Sequence, residues 1–134
     1  MRGARSPGPS ARALPSVRTP KQRAGDAAER AAERHLCEQG CVVLARNARF
    51  RVGELDLVVR DRDAVVFVEV RLRSASGFGG AKASVDVYKQ KKIVRAAQTW
   101  LAMNYGERWP ACRFDVVAVD GDGTIEWCRD AFAT

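Results

Sequence analysis

The chain has 134 residues, 46% of them hydrophobic and 29% charged, with a formal net charge of +7. That length sets one domain able to bury a core without staples, and no apolar run reaches the ~20 residues of a membrane-spanning helix. The positive excess sits at the start: Arg2, Arg5, Arg12, Arg18, Lys21 and Arg23 precede the first acid, leaving 17 basic and 16 acidic residues in a nearly neutral remainder.

Residues 1–20 hold Pro7, Pro9, Pro15 and Pro20 among Gly, Ser, Ala and Arg. Such a composition buries too little apolar surface to order itself, which predicts a disordered basic tail ahead of one domain over 21–134. No apolar run follows the arginines, so the segment is not a secretory signal, and its prolines break the amphipathic helix of a transit peptide. A cytoplasmic location is expected. The tail either holds a polyanion non-specifically or is an unconstrained extension.

From Lys21 to Gln39 the pattern is helical, stopped by Gly40. Ala28, Ala31, Ala32, His35 and Leu36 make its apolar side, with alanines that permit close packing on a sheet. At 100° per residue Glu29 falls on the margin of that stripe, while Glu33 points further toward solvent. Glu29 therefore has two readings, a carboxylate reaching a site beside the sheet or an ordinary solvated acid. His35 reads as a packed residue. Cys41 to Ala45 is a short strand, and Arg46-Asn47 a turn or strand end.

Two apolar runs follow, Leu55 to Val59 and Val65 to Val70, around the polar break Asp61-Arg62-Asp63. They read as an antiparallel hairpin. In the second run Val65 and Phe67 occupy one face and Val66, Val68 and Val70 the other, the mark of a central strand covered on both sides. With Arg62-Asp63 at the turn centre, Asp56 stands opposite Glu69, Cβ atoms roughly 5 Å apart on one face. Arg71 shares that face. Two facing carboxylates repel unless a cation intervenes. An acid on one strand and Glu-x-basic on the next is the pattern of metal-dependent phosphodiester cleavage, with oxygen ligands suited to Mg²⁺ or Mn²⁺. The alternative is an acid pair neutralised by Arg71.

Arg73 to Gly80 is a glycine-serine loop with one aromatic, Phe78, either a lid over substrate or a plain connector. A helix capped by Ser84 or Asp86 runs to Asn104, its buried face made by Ile93, Ala96, Ala97, Trp100 and Leu101. Lys89, Lys91, Lys92 and Arg95 on its first half are a candidate phosphate-contacting patch or a solvated face. Tyr105 to Pro110 is a loop, Arg113 to Val119 a strand, and Gly121-Asp122-Gly123 a turn into a last strand, Thr124 to Cys128. The expected architecture is a mixed α/β sandwich, two helices on about five strands in the order αβββαββ, the second helix carrying a parallel crossover.

Cys37, Cys41, Cys112 and Cys128 form no paired CxxC knuckles, so zinc is not indicated and free, mostly buried thiols are expected. Walker, nucleophile-elbow and dinucleotide glycine motifs are missing from the sequence.

Several blocks in order resemble the bacterial YraN family from Gly25 to Phe132: the Gly25…Glu29…Ala32…Leu36 helix, Ala45-Arg46-Asn47, Gly53-Glu54-Leu55-Asp56-Leu57, Phe67-Val68-Glu69-Val70-Arg71, Phe78-Gly79, Lys89-Gln90 and Arg113-Phe114-Asp115-Val116-Val117. That family is similar to archaeal Holliday-junction resolvases within the restriction-endonuclease-like PD-(D/E)XK superfamily. The resemblance implies a restriction-endonuclease-like core and a Mg²⁺ or Mn²⁺ site in which Glu29, Asp56, Glu69 and the Val70 carbonyl ligate or support the ion. It further implies Arg71 as the catalytic cation, and Arg46, Phe78, Lys89 and Lys92 as contacts to nucleic acid, DNA ahead of RNA. Arg71 stands where the nuclease pattern has lysine; an arginine is protonated at any working pH and cannot take a proton from water. A nucleic-acid-binding or protein-interaction module without turnover is the competing expectation. The oligomeric state is left open, a homodimer included.

Overall fold

In a computed structural model that describes residues 17–73 and 85–133, two helices cover the two faces of one five-stranded mixed sheet. The elements are α1 (Pro20–Glu38), β1 (Val42–Phe50), β2 (Gly53–Asp61), β3 (Ala64–Arg73), α2 (Val87–Tyr105), β4 (Cys112–Asp120) and β5 (Ile125–Phe132). The order αβββαββ is the expected one. Strands neighbour one another in sequence order; β3 and β4 are parallel and every other pair is antiparallel. The parallel step is the one spanned by α2, because parallel neighbours need a long crossover. Among the described residues no helix is long and apolar enough to cross a membrane.

Thr19 starts α1 with a reciprocal capping box: its hydroxyl accepts from the Gln22 amide at 3.1 Å and the Gln22 side chain accepts from the Thr19 amide at 2.9 Å. Pro20 follows at the first helical position, where a missing amide costs nothing. Arg18 forks onto Asp26 at 2.6–3.1 Å. The last residues assigned to the tail therefore belong to the helix start; residues 1–16 lie outside the described ones. Gly40 ends the helix with φ +97°, a conformation side chains resist. Asp86, one of the two anticipated caps, starts α2 by accepting from the Lys89 amide at 2.8 Å.

The sheet is buried on both faces. On one, Ala28, Ala32 and Leu36 of α1 pack on Leu57, Val59, Val66, Val68, Val117 and Val119. On the other, Ile93, Ala96, Ala97, Trp100 and Leu101 of α2 pack on Val58, Val65, Phe67, Phe114 and Val116. Phe67 stacks on Phe114, and Phe114 on Phe132, with centroids 5.4 and 5.1 Å apart. The alternation of β3 is the predicted one, and β3 is central.

Four expectations are corrected. Arg46-Asn47 is not a strand end: β1 runs through it to Phe50, accommodating Asn47 in a left-handed conformation (φ 49°) that Asn tolerates. β5 runs on to Phe132 past Arg129-Asp130, whose polarity reads as a turn, because the Asp130 amide (φ 52°) donates to Asp115. Arg73 belongs to β3, bonded to Asp120 at 2.8 Å and Glu126 at 2.6 Å, not to the loop. All four thiols are free, but only Cys41 is buried; Cys37 and Cys112 lie at element ends facing solvent, and Cys128 is half-buried. His35 is half-buried and meets Trp127 edge-on at 5.9 Å. Phe78 and Ser84 fall outside the described residues.

Candidate metal centre

The β2–β3 register holds the predicted sum from Asp61↔Ala64 to Leu57↔Val68, with Arg62 turning the chain at φ 58°. The ladder then stops, one step short of Asp56 and Glu69. Leu55 and Leu57 are two residues apart, yet Leu55 joins the α2 layer and Leu57 the α1 layer. The strand therefore rotates about Asp56 instead of alternating through it. The freed carboxylate of Asp56 accepts from the Val70 amide at 2.9 Å, which holds it against β3.

Glu69 is 4% exposed, one of two buried acids among the described residues. Burial first and the neighbouring Asp56 second push its carboxyl up to about 8; Lys89 opposes both. The two acids are within hydrogen-bond reach of each other. Two cations face Glu69 Oε2: Lys89 Nζ at 3.4 Å from α2, and Arg71 Nη1 at 3.6 Å from β3 itself. On the other side of Asp56 stands Glu29, half-buried on α1. Its carboxyl is raised by burial and by Asp56, and a hydrogen bond to Asn47 works against that rise. Three acids from three elements thus line up in the order Glu29, Asp56, Glu69.

A cleft of about 480 Å³ opens at the Glu29–Asp56 end of this row, lined by Glu29, Arg34, Arg46, Asn47 and Asp56 among others. Glu33 lines it too, but its carboxylate is taken by Arg46 through two bonds of 2.7 and 2.8 Å, which hold it below the usual carboxylate range. Arg46 is committed to that pair, although its side chain stays 61% exposed.

Of the residues singled out in the sequence, the fold gathers Glu29, Asp56, Glu69, Val70, Arg71 and Lys89 into one neighbourhood. Arg46 stands at the rim of the cleft and Lys92 one helical turn beyond Lys89. The expected patch on α2 divides: Lys89 and Lys92 face the β1–β2 turn, whereas Lys91 and Arg95 flank Val94 and Gln98 on another side. Sequence reasoning missed three features. Asn47 contacts Glu29, Lys89 contacts Glu69, and Arg49 and Arg51 stand beside Lys89 and Lys92. The alternating cations Arg49 and Arg51 just before Gly53 were the available signal.

Fit to a divalent cation rests on the donor set. Burial first and an adjacent acid second raise the Glu69 carboxyl, so a cation beside the pair would favour its ionised form, and carboxylate oxygens are the ligands hard cations take. Among the described residues no three acidic, histidine or cysteine side chains converge on a single point. The set that fits is therefore two ligands, Asp56 and Glu69, with Glu29 neighbouring Asp56.

Comparison with known proteins finds relatives of the sequence. Residues 28–119 match the sequence model described as Uncharacterised protein family UPF0102. A UPF0102 protein of Ralstonia nicotianae is 54% identical over 112 residues, covering 81% of this chain and 85% of that protein. One from Alkalilimnicola ehrlichii is 46% identical over 121 residues, covering 90% and 95%. One from Bordetella parapertussis is 46% identical over 135 residues, covering 96% and 76%.

Proposed function

The chain belongs to the UPF0102 family, and we propose that its acid row is the centre of a Mg²⁺- or Mn²⁺-dependent endonuclease-like domain acting on nucleic acid, DNA ahead of RNA. The observation that carries this reading is the pair itself. A buried Glu69 and an Asp56 released from its ladder lie within hydrogen-bond reach of each other, and Asp56 also lines the open cleft. Structural acid pairs are ordinarily quenched by a bidentate arginine, as Glu33 is here by Arg46. Glu69 receives only two longer, single contacts.

Asp56 and Glu69, with the Val70 carbonyl, would hold the ion, and Glu29 would orient its water. When bound, the cation polarises a phosphodiester and supplies a nucleophilic water at neutral pH. Arg71, protonated throughout, pairs a phosphate oxygen and stabilises developing charge without abstracting a proton. Lys89, from α2, favours the ionised form of Glu69 against its burial and Asp56, as the cation does when bound. One helix acid and two strand acids are also what the resemblance to the restriction-endonuclease-like, Holliday-junction-resolvase-like class implies, and that supports the reading.

One observation favours a second reading, a binding module without turnover. Arg71 and Lys89 already stand at Glu69, and a site neutralised by side chains needs no ion. A panel of labelled duplex, fork, four-way-junction and RNA substrates with Mn²⁺ and Mg²⁺ separates the two. The nuclease reading expects weak cleavage that is better with Mn²⁺, since Mg²⁺ demands near-ideal octahedral geometry. It also expects a faster rate in Arg71→Lys. Nucleic-acid binding without cleavage in either protein, whether or not metal is bound, supports the binding module instead.

A further inference from the structure

The β1–β2 turn docks on α2 so closely that a Cβ at Gly53 would stand 2.7 Å from the Lys92 carbonyl. Only glycine allows this approach. The contact creates a cleft of about 390 Å³ between the turn and the first turns of α2. Arg49, Arg51, Lys89 and Lys92 line it against one acid, Glu54. Arg49 lies 3.8 Å from Glu54 and is 78% exposed, a loose pair in water. Lys92 is held with Nζ 4.6 Å over the Tyr88 ring, which orders the side chain without cancelling its charge. This concentration of cations is notable in a domain whose charges otherwise nearly balance.

We infer that this cleft is a track for the phosphodiester backbone, leading nucleic acid to the acid row through Lys89. The inference rests on the proposed action on nucleic acid and adds where the strand lies. Lys89 belongs to both places, since it lines the cleft and contacts Glu69. A phosphate reaching Asp56 and Glu69 meets two carboxylates that repel it, and a neighbouring cationic wall supplies the attraction that offsets this. Lys91 and Arg95 of the same helix lie outside the track.

The test compares two double variants of the full chain that lose equal charge: Arg51→Ser/Lys92→Ser within the track and Lys91→Ser/Arg95→Ser outside it. Binding of labelled duplex and single-stranded DNA is measured across a salt series, with Mn²⁺ calorimetry on each protein. The track variant should bind roughly tenfold more weakly at moderate salt, with the slope of log affinity against log salt reduced by about two, near one per lost phosphate contact. The control variant should move far less, and both should bind Mn²⁺ like the native protein. Equal losses in the two variants overturn the track while leaving the nuclease reading standing. Loss of Mn²⁺ binding in the track variant also overturns it, because the residues would then be acting through the acid row. A native protein that binds no DNA at any salt removes both the track and the proposed function.

Discussion

Lys89 Nζ of α2 lies 3.4 Å from Glu69 Oε2, closer than Arg71 Nη1, which shares a strand face with Glu69 and reaches it at 3.6 Å. The cation nearest the buried acid therefore comes from the helix layer, although the sequence pattern places it on the strand.

Even so, burial and Asp56 hold Glu69 protonated up to about 8. A carboxyl with a folded pKa above its unfolded one retains its proton in the fold while the unfolded chain releases it. Stability is thus greatest below about pH 4.5 on this account and falls as pH rises toward 8. The loss across that window should be up to about 5 kcal/mol at low metal, given about 1.4 kcal/mol per unit, with the relief by Lys89 already included. Thermal melts at stepped pH should show this slope in the native protein, a flatter one in Glu69→Gln, and a steeper one in Lys89→Ala.

Glu29 stands behind Asp56 and is raised in part by it. Glu29→Gln should weaken Mn²⁺ affinity about 10–100-fold, the usual cost of losing an outer-shell partner. Glu33→Gln, which only frees Arg46 from its bidentate pair, should leave affinity near native. Calorimetric titration of both variants reads the difference; equal effects would mean that α1 presents the wrong acid.

Thr19 and Gln22 close the capping box of α1 and Arg18 ties Asp26. A chain beginning after residue 16 should melt like the full one, whereas a chain beginning after Pro20 should lose about 0.5–2 kcal/mol with its cap. Chemical denaturation of the two truncations measures this directly.

On β4, level with Val68 and so one residue from Glu69 along the sheet, Asp115 is 0% exposed and accepts from Arg113 Nε at 3.0 Å, Trp127 Nε1 at 2.8 Å and the Asp130 amide at 2.9 Å. Arg113 in turn bonds Asp61 at 2.8 Å. Asp115→Ala strands these donors and should cost about 3–5 kcal/mol. It should leave the metal affinity of the surviving folded fraction unchanged, since its carboxylate bonds Arg113, Trp127 and Asp130 and no member of the acid row.

Helices and the central strand were legible because their signals are local: an apolar face with the helical period, a cap, a glycine stop, and a strand apolar on both faces. The Asp56–Glu69 apposition followed from a turn centre and a constant register, which the ladder keeps as far as Leu57↔Val68. What the pattern concealed was the departure from regularity at Asp56, where Leu55 and Leu57 part to opposite layers. Strand ends were hidden where polar residues adopt left-handed backbone inside a strand, Asn47 in β1 and Asp130 in β5. The basic track was invisible because Arg49 and Arg51 meet Lys89 and Lys92 only through the Gly53 contact, some forty residues apart in the chain. The network around Asp115 likewise joins three strands, β2, β4 and β5, that no local spacing connects.

The central claim, that Asp56 and Glu69 form a divalent-cation site, is tested most directly by calorimetric titration of the native protein, Asp56→Ala and Glu69→Ala with Mn²⁺ at pH 8. One site per native chain is predicted, absent from both variants while their circular dichroism stays native. A native protein that takes up no Mn²⁺, or an unchanged affinity in both variants, would contradict it.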